Sequence, residues 1–202
     1  MSLVILLALI GLSYIVIFVA MAIFRREGLT IRFVVESVGV TALAVIVVVF
    51  TPFHIHPVIF LLLLYLITLR VRLLVDLANA FAVRGNYNQA EKIYTFAARL
   101  WPDPGSDLIV KVNHAIMLLH NSQLDESIDL FNDTLSQANK GHLGSKYKAA
   151  AHYNLGVAYL RKNNPSMAMA EFNAVVESWP ASFYARRAQD ALERQRNKDA
   201  AA

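Results

Sequence analysis

The chain has 202 residues, of which 56% are hydrophobic, a formal net charge of +4 and no cysteine. The lack of cysteine excludes disulfides, thiolate metal sites and a cysteine nucleophile. Residues 73–202 hold 14 basic and 13 acidic side chains, a balance that argues against nucleic-acid binding. A mean hydropathy of +0.44 is too high for an ordinary soluble domain and indicates membrane-spanning segments.

The first segment, Ser2–Phe24, contains 23 residues without a charge. A helix needs about 20 apolar residues to cross a bilayer, so this segment predicts a transmembrane helix over residues 2–24. The alternative is a cleaved signal peptide, because Ala20-Met21-Ala22 resembles a cleavage site. No lysine or arginine precedes the apolar segment, however, and it is longer than a signal sequence requires.

A second apolar segment, Phe33–Phe50, carries one charged residue, Glu36. An ionisable group inside a span suggests a function by default, here a proton or ion relay. Arg32 lies one helical turn earlier, so an ion pair near the membrane interface is the prediction we favour. The segment also has a face of small residues, where another helix can approach closely: Ser37, Thr41 and Ala44.

The third apolar segment, Val58–Leu69, has only 12 residues and is too short to cross a bilayer alone. A span over residues 53–72 becomes possible if it begins at Phe53 and if Arg70 and Arg72 extend their charged ends to the interface. Neither proline nor glycine separates this span from the next domain. We therefore predict that the span continues directly into the first helix of that domain.

The charges beside the spans predict an orientation. The side with most arginines is expected to be cytoplasmic, and it holds the predicted membrane-face residues Arg25, Arg26, Arg32, Glu36, Arg70 and Arg72. The N-terminus and the turn at residues 51–57 then face outward. The sequence thus predicts a multi-pass protein of the plasma (inner) membrane or a thylakoid-type membrane. His54 and His56 in the turn have no third ligand nearby, so no metal site is predicted.

A 34-residue pattern begins at Val71. Its first copy has an apolar stripe on a first helix, a glycine at the turn, small residues where two helices meet and a closing proline: Leu74, Leu77, Ala78, Phe81, Gly85, Tyr87, Ala90, Tyr94, Ala97 and Pro102. This pattern resembles the tetratricopeptide repeat, a helix–turn–helix unit that stacks into solenoids. The resemblance implies an all-α fold in which each repeat covers the apolar face of its neighbour.

Weaker copies of the repeat begin at Leu108 and Ala149. They depart from the pattern at Lys111, His114, Ser122, His152 and Pro165. The starts are more than 34 residues apart, and we expect the extra residues to lengthen polar turns. The predicted domains are a membrane domain over residues 1–72, with spans at about 2–24, 33–50 and 53–72, three repeats over residues 71–182, and a capping helix and tail over residues 183–202.

The resemblance implies an inner groove lined by the first helix of each repeat, which could accept an amphipathic helix or apolar peptide. The predicted groove residues are Val75, Asn79, Val112, Asn113, Ile116, Leu119, Tyr153, Asn154 and Val157. Alternatively, the last helix or a membrane span fills this groove. Some family members clamp a peptide carboxylate with lysine and asparagine on these helices, but Val75 stands where the first repeat would need lysine.

The predicted function is therefore non-catalytic, with no cofactor and no bound metal. The chain would anchor in a lipid bilayer and bind partner proteins at the cytoplasmic face, as a subunit or assembly factor of a membrane protein complex. The alternative is an accessory subunit of a transport or signalling complex that acts through its spans. An acidic face offers a second docking surface: Asp125, Glu126, Asp129 and Asp133.

Overall fold

The computed structural model describes residues 2–24, 31–138 and 143–200, with side chains as far as Asn197. These residues form helices and turns without a strand, so the all-α prediction is confirmed for the described ranges. The helices are α1 (Leu3–Phe24), α2 (Ile31–Phe50), α3 (Pro57–Thr68), α4 (Arg70–Val83), α5 (Tyr87–Arg99), α6 (Pro104–His120), α7 (Leu124–Ala138), α8 (Ser145–Arg161), α9 (Pro165–Ser178) and α10 (Phe183–Ala200).

Two of the described helices, α1 and α2, are long and apolar enough to cross a membrane. Helix α3 has only 12 residues and qualifies only when it is counted together with α4. The axes of α3 and α4 meet at 75°, however. Two candidate spans are therefore clear from length and composition, and the third that we predicted is not.

The sharp bend at Leu69 shows that the predicted unbroken helix from α3 into α4 is wrong. Leu69 leaves helical backbone geometry, with φ −108° and ψ 13°. Two side chains donate to backbone carbonyls beside the break: Thr68 Oγ1 to the Leu64 carbonyl at 2.8 Å, and Arg70 Nη1 to the Ile67 carbonyl at 2.6 Å. Polar side chains that bond to backbone carbonyls in this way commonly bend helices.

Helices α1, α2 and α3 pack into a small bundle. A Cβ atom at Gly11 of α1 would lie 2.3 Å from Thr41 Oγ1 of α2, so the two backbones approach closely there. Ser37 and Ala44 are buried on the same face of α2. The small-residue face thus packs against α1 of the same chain, while the outward faces of the bundle remain apolar and exposed.

Helix α3 returns along α2 to the level at which α2 begins. Arg70, just after α3, reaches Glu36 in the second turn of α2 at 2.7 Å. Thr68, at the end of α3, hydrogen-bonds through Oγ1 to the Tyr14 hydroxyl of α1 at 2.6 Å. The repeats that follow therefore lie at the same end of the bundle as the beginning of α2.

Three helix pairs follow, α4–α5, α6–α7 and α8–α9, and corresponding repeat positions are buried in each pair. These positions hold Ala78, Ala90, Tyr94, Ala97, Ala115, Ser127, Phe131, Thr134, Gly156, Ala168, Phe172 and Val175. The Ser127 hydroxyl donates to the Ala115 carbonyl at 2.9 Å. A Cβ atom at Gly156 would lie 2.6 Å from Phe172 Cε1. Small residues therefore let the two helices of a pair approach, as the repeat pattern predicts.

The turn within each pair uses the same left-handed backbone position. Gly85 has φ +75°, and Ser122 and Asn163 occupy the equivalent positions with φ +63° and +55°. The left-handed region costs glycine little and other residues more. Ser122, which we read as a departure from the pattern, thus keeps the backbone geometry of the repeat while lacking its preferred residue.

The extra residues before the second repeat begin a helix, which corrects our expectation that they would lengthen a turn. Before the third repeat, Leu143 and Gly144 precede α8 without helical structure, and residues 139–142 lie outside the described residues. Pro104 begins α6, and Asp103 caps it by accepting the backbone amides of Gly105 at 3.0 Å and Ser106 at 3.1 Å. Helix α8 likewise begins at Ser145, about one turn before the start of the third repeat pattern at Ala149. The added turns bring the N-terminal ends of α6 and α8 towards the bundle.

Helix α10 packs against α9 and α8, with Ala185 and Ala188 buried at the interface. Its other side is strongly charged. This arrangement fits the terminal helix that a repeat array requires to cover its last apolar face.

Candidate functional site

The structure buries three of the nine predicted groove residues. Val75, Val112 and Leu119 have exposed fractions of 3%, 0% and 2%. Helices α4, α6 and α8 pack directly side by side, so these side chains fill the space between them. They cannot line an open groove, which corrects the sequence-based placement.

Tyr153, one of the predicted groove residues, already contacts aromatic rings within the chain. Its ring centroid lies 5.7 Å from that of Phe172 in α9 and 5.7 Å from that of Tyr184 in α10. Burial raises the pKa of Tyr184 in the same cluster. Removing the Tyr153 ring would loosen the packing of α10. The last helix thus covers this part of the inner face.

The three predicted asparagines make hydrogen bonds within the repeat domain. Asn113 and Asn154 each donate to the carbonyl four residues earlier, both at 2.8 Å. Asn79 donates to Asn113 Oδ1 at 3.1 Å and accepts from the Tyr94 hydroxyl at 2.5 Å. Burial raises the pKa of Tyr94, with the Glu91 carboxylate contributing in the same direction. The bond between Asn79 and Asn113 ties the first repeat to the second.

Two histidine–carboxylate pairs went unnoticed at the sequence level. His114 Nε2 lies 2.7 Å from Glu91 Oε2, and its ring stacks on Tyr94 at 5.3 Å. His152 Nδ1 lies 2.7 Å from Glu171 Oε2. Each pair joins the first helix of one repeat to a second helix, and in both the histidine stands where the repeat pattern expects an apolar residue. A histidine at an apolar position of the repeat, together with a glutamate on a second helix, is the sequence signal that could have identified these two pairs.

Two of the predicted membrane-face arginines, Arg32 and Arg70, converge on the carboxylate of Glu36. Glu36 accepts from Arg32 Nε at 2.8 Å and from Arg70 Nη1 and Nη2 at 2.7 and 3.0 Å. Arg70 also donates to the Leu100 carbonyl, at the end of the first repeat, at 3.4 Å. Glu36 is thus held between two arginines, as the favoured prediction of an ion pair requires. Arg25 and Arg26 lie outside the described residues.

Two further predicted features lie away from these sites. His56 Nδ1 accepts the Val58 amide at 3.3 Å and caps α3, while His54 Nδ1 lies 2.9 Å from the Pro52 carbonyl. The acidic face on α7 is exposed, and its Asp133 and Asp125 pair with Lys111 and Lys162. In the part of the chain that the structure describes, no three histidine or acidic side chains converge on a possible metal position.

The fold and these contacts define a helical-repeat scaffold attached to an apolar helical bundle. A family model described as tetratricopeptide repeat matches residues 75–142 and 143–183, more than half of the chain. The chain therefore belongs to the tetratricopeptide repeat family, and the resemblance inferred from the sequence is confirmed. Domains of this family serve protein–protein interaction.

Among solved structures, the N-terminal domain of stress-induced protein-1 (STI-1) from C. elegans has a similar fold. It is 18% identical in sequence with a TM-score of 0.50, and the similarity covers 61% of this chain and 95% of that one. At this identity the comparison supports the fold alone. No curated protein matches the chain.

Proposed function

We propose that this chain is a membrane-anchored scaffold that binds partner proteins at the cytoplasmic membrane face, as a subunit or assembly factor of a membrane complex. The observation that carries the proposal is the direct attachment of a protein-interaction domain to an apolar helical bundle. Arg70 bonds to Glu36 of the bundle and to the Leu100 carbonyl of the first repeat. This double contact favours a fixed orientation of the repeats over a flexible tether.

The partner surface we propose is the part of the inner face that remains partly exposed. It comprises the predicted groove residues Asn113, Ile116, Asn154 and Val157. Aliphatic and amide side chains of this kind suit the apolar face of an amphipathic helix. The proposed surface is smaller than the groove expected from the sequence, because Val75, Val112 and Leu119 are buried.

Val157→Lys is expected to weaken partner binding by about tenfold or more, which corresponds to about 1.4 kcal/mol. The substitution places a charge on a surface that would be dehydrated in the complex. The side chain is only partly buried, and the lysine stem can carry its charge into water. Val157 also packs against the core that α8 shares with α9 and α10, so a loss of binding has to be separated from a loss of fold. The measurement is quantitative co-purification of native partners with the full chain from mild detergent, checked by thermal melting.

Asp129→Lys provides the control on the exposed acidic face of α7. It should retain the partners that Val157→Lys loses. Loss of partners with Asp129→Lys alone would move the binding surface to the acidic face. Unchanged co-purification with both variants would refute the inner-face proposal.

The proposed membrane anchoring is tested by determining on which side of the membrane two positions of the chain lie. A reporter that is active only in the cytoplasm should work when fused after Ala202 and fail when inserted at residues 51–57. This result follows if α3 crosses the membrane back to the side of the arginines. Activity at both positions would mean that α3 does not cross, and activity in the turn alone would invert the proposed orientation.

A further inference from the structure

A cavity of about 490 Å³ lies between the helical bundle and the repeats. One wall consists of apolar side chains at the adjoining ends of α1, α2 and α3, including Phe18, Met21, Phe33 and Tyr65. The opposite wall consists of the beginnings of α4, α6 and α8. Its volume lies within the range of about 300–1,000 Å³ that is usual for small-ligand sites.

The cavity combines this apolar wall with basic side chains. Arg32, Arg70, Arg72 and Lys146 border it, together with the acidic residues Glu36, Asp76 and Asp103. Two of those carboxylates are used internally, since Glu36 binds Arg32 and Arg70 and Asp103 caps α6. Four basic side chains against three acidic ones leave a small positive excess at the cavity, which suits an anion.

The beginning of α8 adds to this positive character. Gly144, the residue before α8, offers no side-chain cap, and Gly144, Lys146 and Tyr147 border the cavity. The first amides of a helix carry a partial positive charge that favours a nearby anion. Lys146 is exposed, and its Nζ lies 5.6 Å from the centroid of the Tyr147 ring. An anion in the cavity would therefore meet a cationic side chain and a helix N-terminus together.

Trp101 marks the open rim of the cavity. Its side chain is 78% exposed and its backbone has φ +46°, an uncommon conformation for a residue other than glycine. Tryptophan is enriched at the interface of membranes with water, where an apolar ring with one polar atom suits the headgroup layer. The position of Trp101 beside the ends of the spans matches that layer.

We propose that this cavity binds one anionic phospholipid, with the phosphate between Arg72, Lys146 and the start of α8, and the acyl chains along Phe18, Met21 and Phe33. The inference rests on the membrane anchoring of the proposed function. The basic side chains of the cavity complement the charge of the headgroup. The apolar wall is continuous with the exposed apolar faces of α1 and α2, and the acyl chains would lie along it. A bound lipid would occupy the space between anchor and scaffold and add to the contact made by Arg70.

The test measures lipid that stays with the full chain. The protein is purified from vesicles of phosphatidylcholine and phosphatidylglycerol, washed in neutral detergent and analysed by native mass spectrometry. We expect one phosphatidylglycerol per chain. The double variant Arg72→Gln, Lys146→Gln should retain at most about one tenth of this phosphatidylglycerol, because two cationic contacts with the headgroup are lost.

Two matched controls separate the cavity from general attraction to anionic membranes. Ala22 borders the cavity, whereas Ala20 is exposed on α1 and does not. Ala22→Phe should expel the lipid without changing any charge, and Ala20→Phe should retain it. Lys92→Gln removes an exposed charge on α5, away from the cavity, and should also retain the lipid. Circular dichroism of each variant confirms that the helices are intact.

Several outcomes would overturn the proposal. Retention of the lipid by Ala22→Phe and by the double variant would show that it binds elsewhere. Equal retention of phosphatidylcholine would remove the role of the anionic headgroup. Displacement of the lipid by inorganic phosphate alone would assign the site to a free anion. Resistance of the chain to carbonate extraction is measured separately, so that failed anchoring is distinguished from an empty cavity.

Discussion

Replacing Gly156 with leucine is expected to destabilise the repeat domain by about 3 kcal/mol, at the upper end of the usual range for overpacked cores. A Cβ atom at this position would already lie 2.6 Å from Cε1 and 2.9 Å from Cδ1 of Phe172. Phe172 is 2% exposed and packs in the core between α8 and α9. Thermal melting of the full chain in mild detergent should show a Tm lower by about 6 °C or more.

Two further variants make this result specific. Ala170→Leu introduces the same side chain at an exposed position of α9 and should leave the Tm unchanged. Phe172→Ala alone should be destabilising because it creates a cavity. Combined with Gly156→Leu it should cost less than the sum of the two, since the leucine occupies the space of the lost ring. A wild-type Tm for Gly156→Leu would mean that α8 and α9 do not meet at this glycine.

The repeats could be predicted from the sequence because their determinants are local and repeated. Small residues recur where the helices of a pair meet, and aromatic residues such as Phe131 and Phe172 recur opposite them. The two helices of each repeat then only have to pack against each other. Even Ser122, which lacks the preferred glycine, adopts the expected left-handed turn with φ +63°. The helix pairs therefore follow from residues that lie within one repeat.

The candidate site was less predictable because it depends on contacts between distant parts of the chain. Exposure of Val112 depends on how closely α4 and α8 approach α6, and the repeat pattern does not specify that distance. The bend at Leu69 is another example, since no proline or glycine marks it. The residue after the bend, Arg70, bonds with Glu36, which lies 34 positions earlier. Sequence reasoning named both residues without bringing them together.

Removal of the Arg70 guanidinium tests whether this contact fixes the scaffold to the anchor. Arg70→Met is expected to destabilise the full chain by about 2–3 kcal/mol, because it breaks charged hydrogen bonds at a partly buried site. Glu36 would keep only Arg32, and the Ile67 and Leu100 carbonyls would lose a donor. Melting in detergent should therefore show a lower Tm, and limited proteolysis should show faster cleavage near Leu69.

Arg32→Met is the matched control, since it removes an equal charge from the same carboxylate. Arg32 pairs with Glu36 within one helix, and its side chain is 40% exposed against 27% for Arg70. Exposed pairs four residues apart in a helix contribute about 0.3–0.5 kcal/mol, so the control should change the Tm little. The double variant Glu36→Met, Arg70→Met should recover part of the stability, because no carboxylate is then left without its partner. Equal effects of Arg32→Met and Arg70→Met would mean that Glu36 needs only a neutralising charge, and that Arg70 does not join the repeats to the bundle.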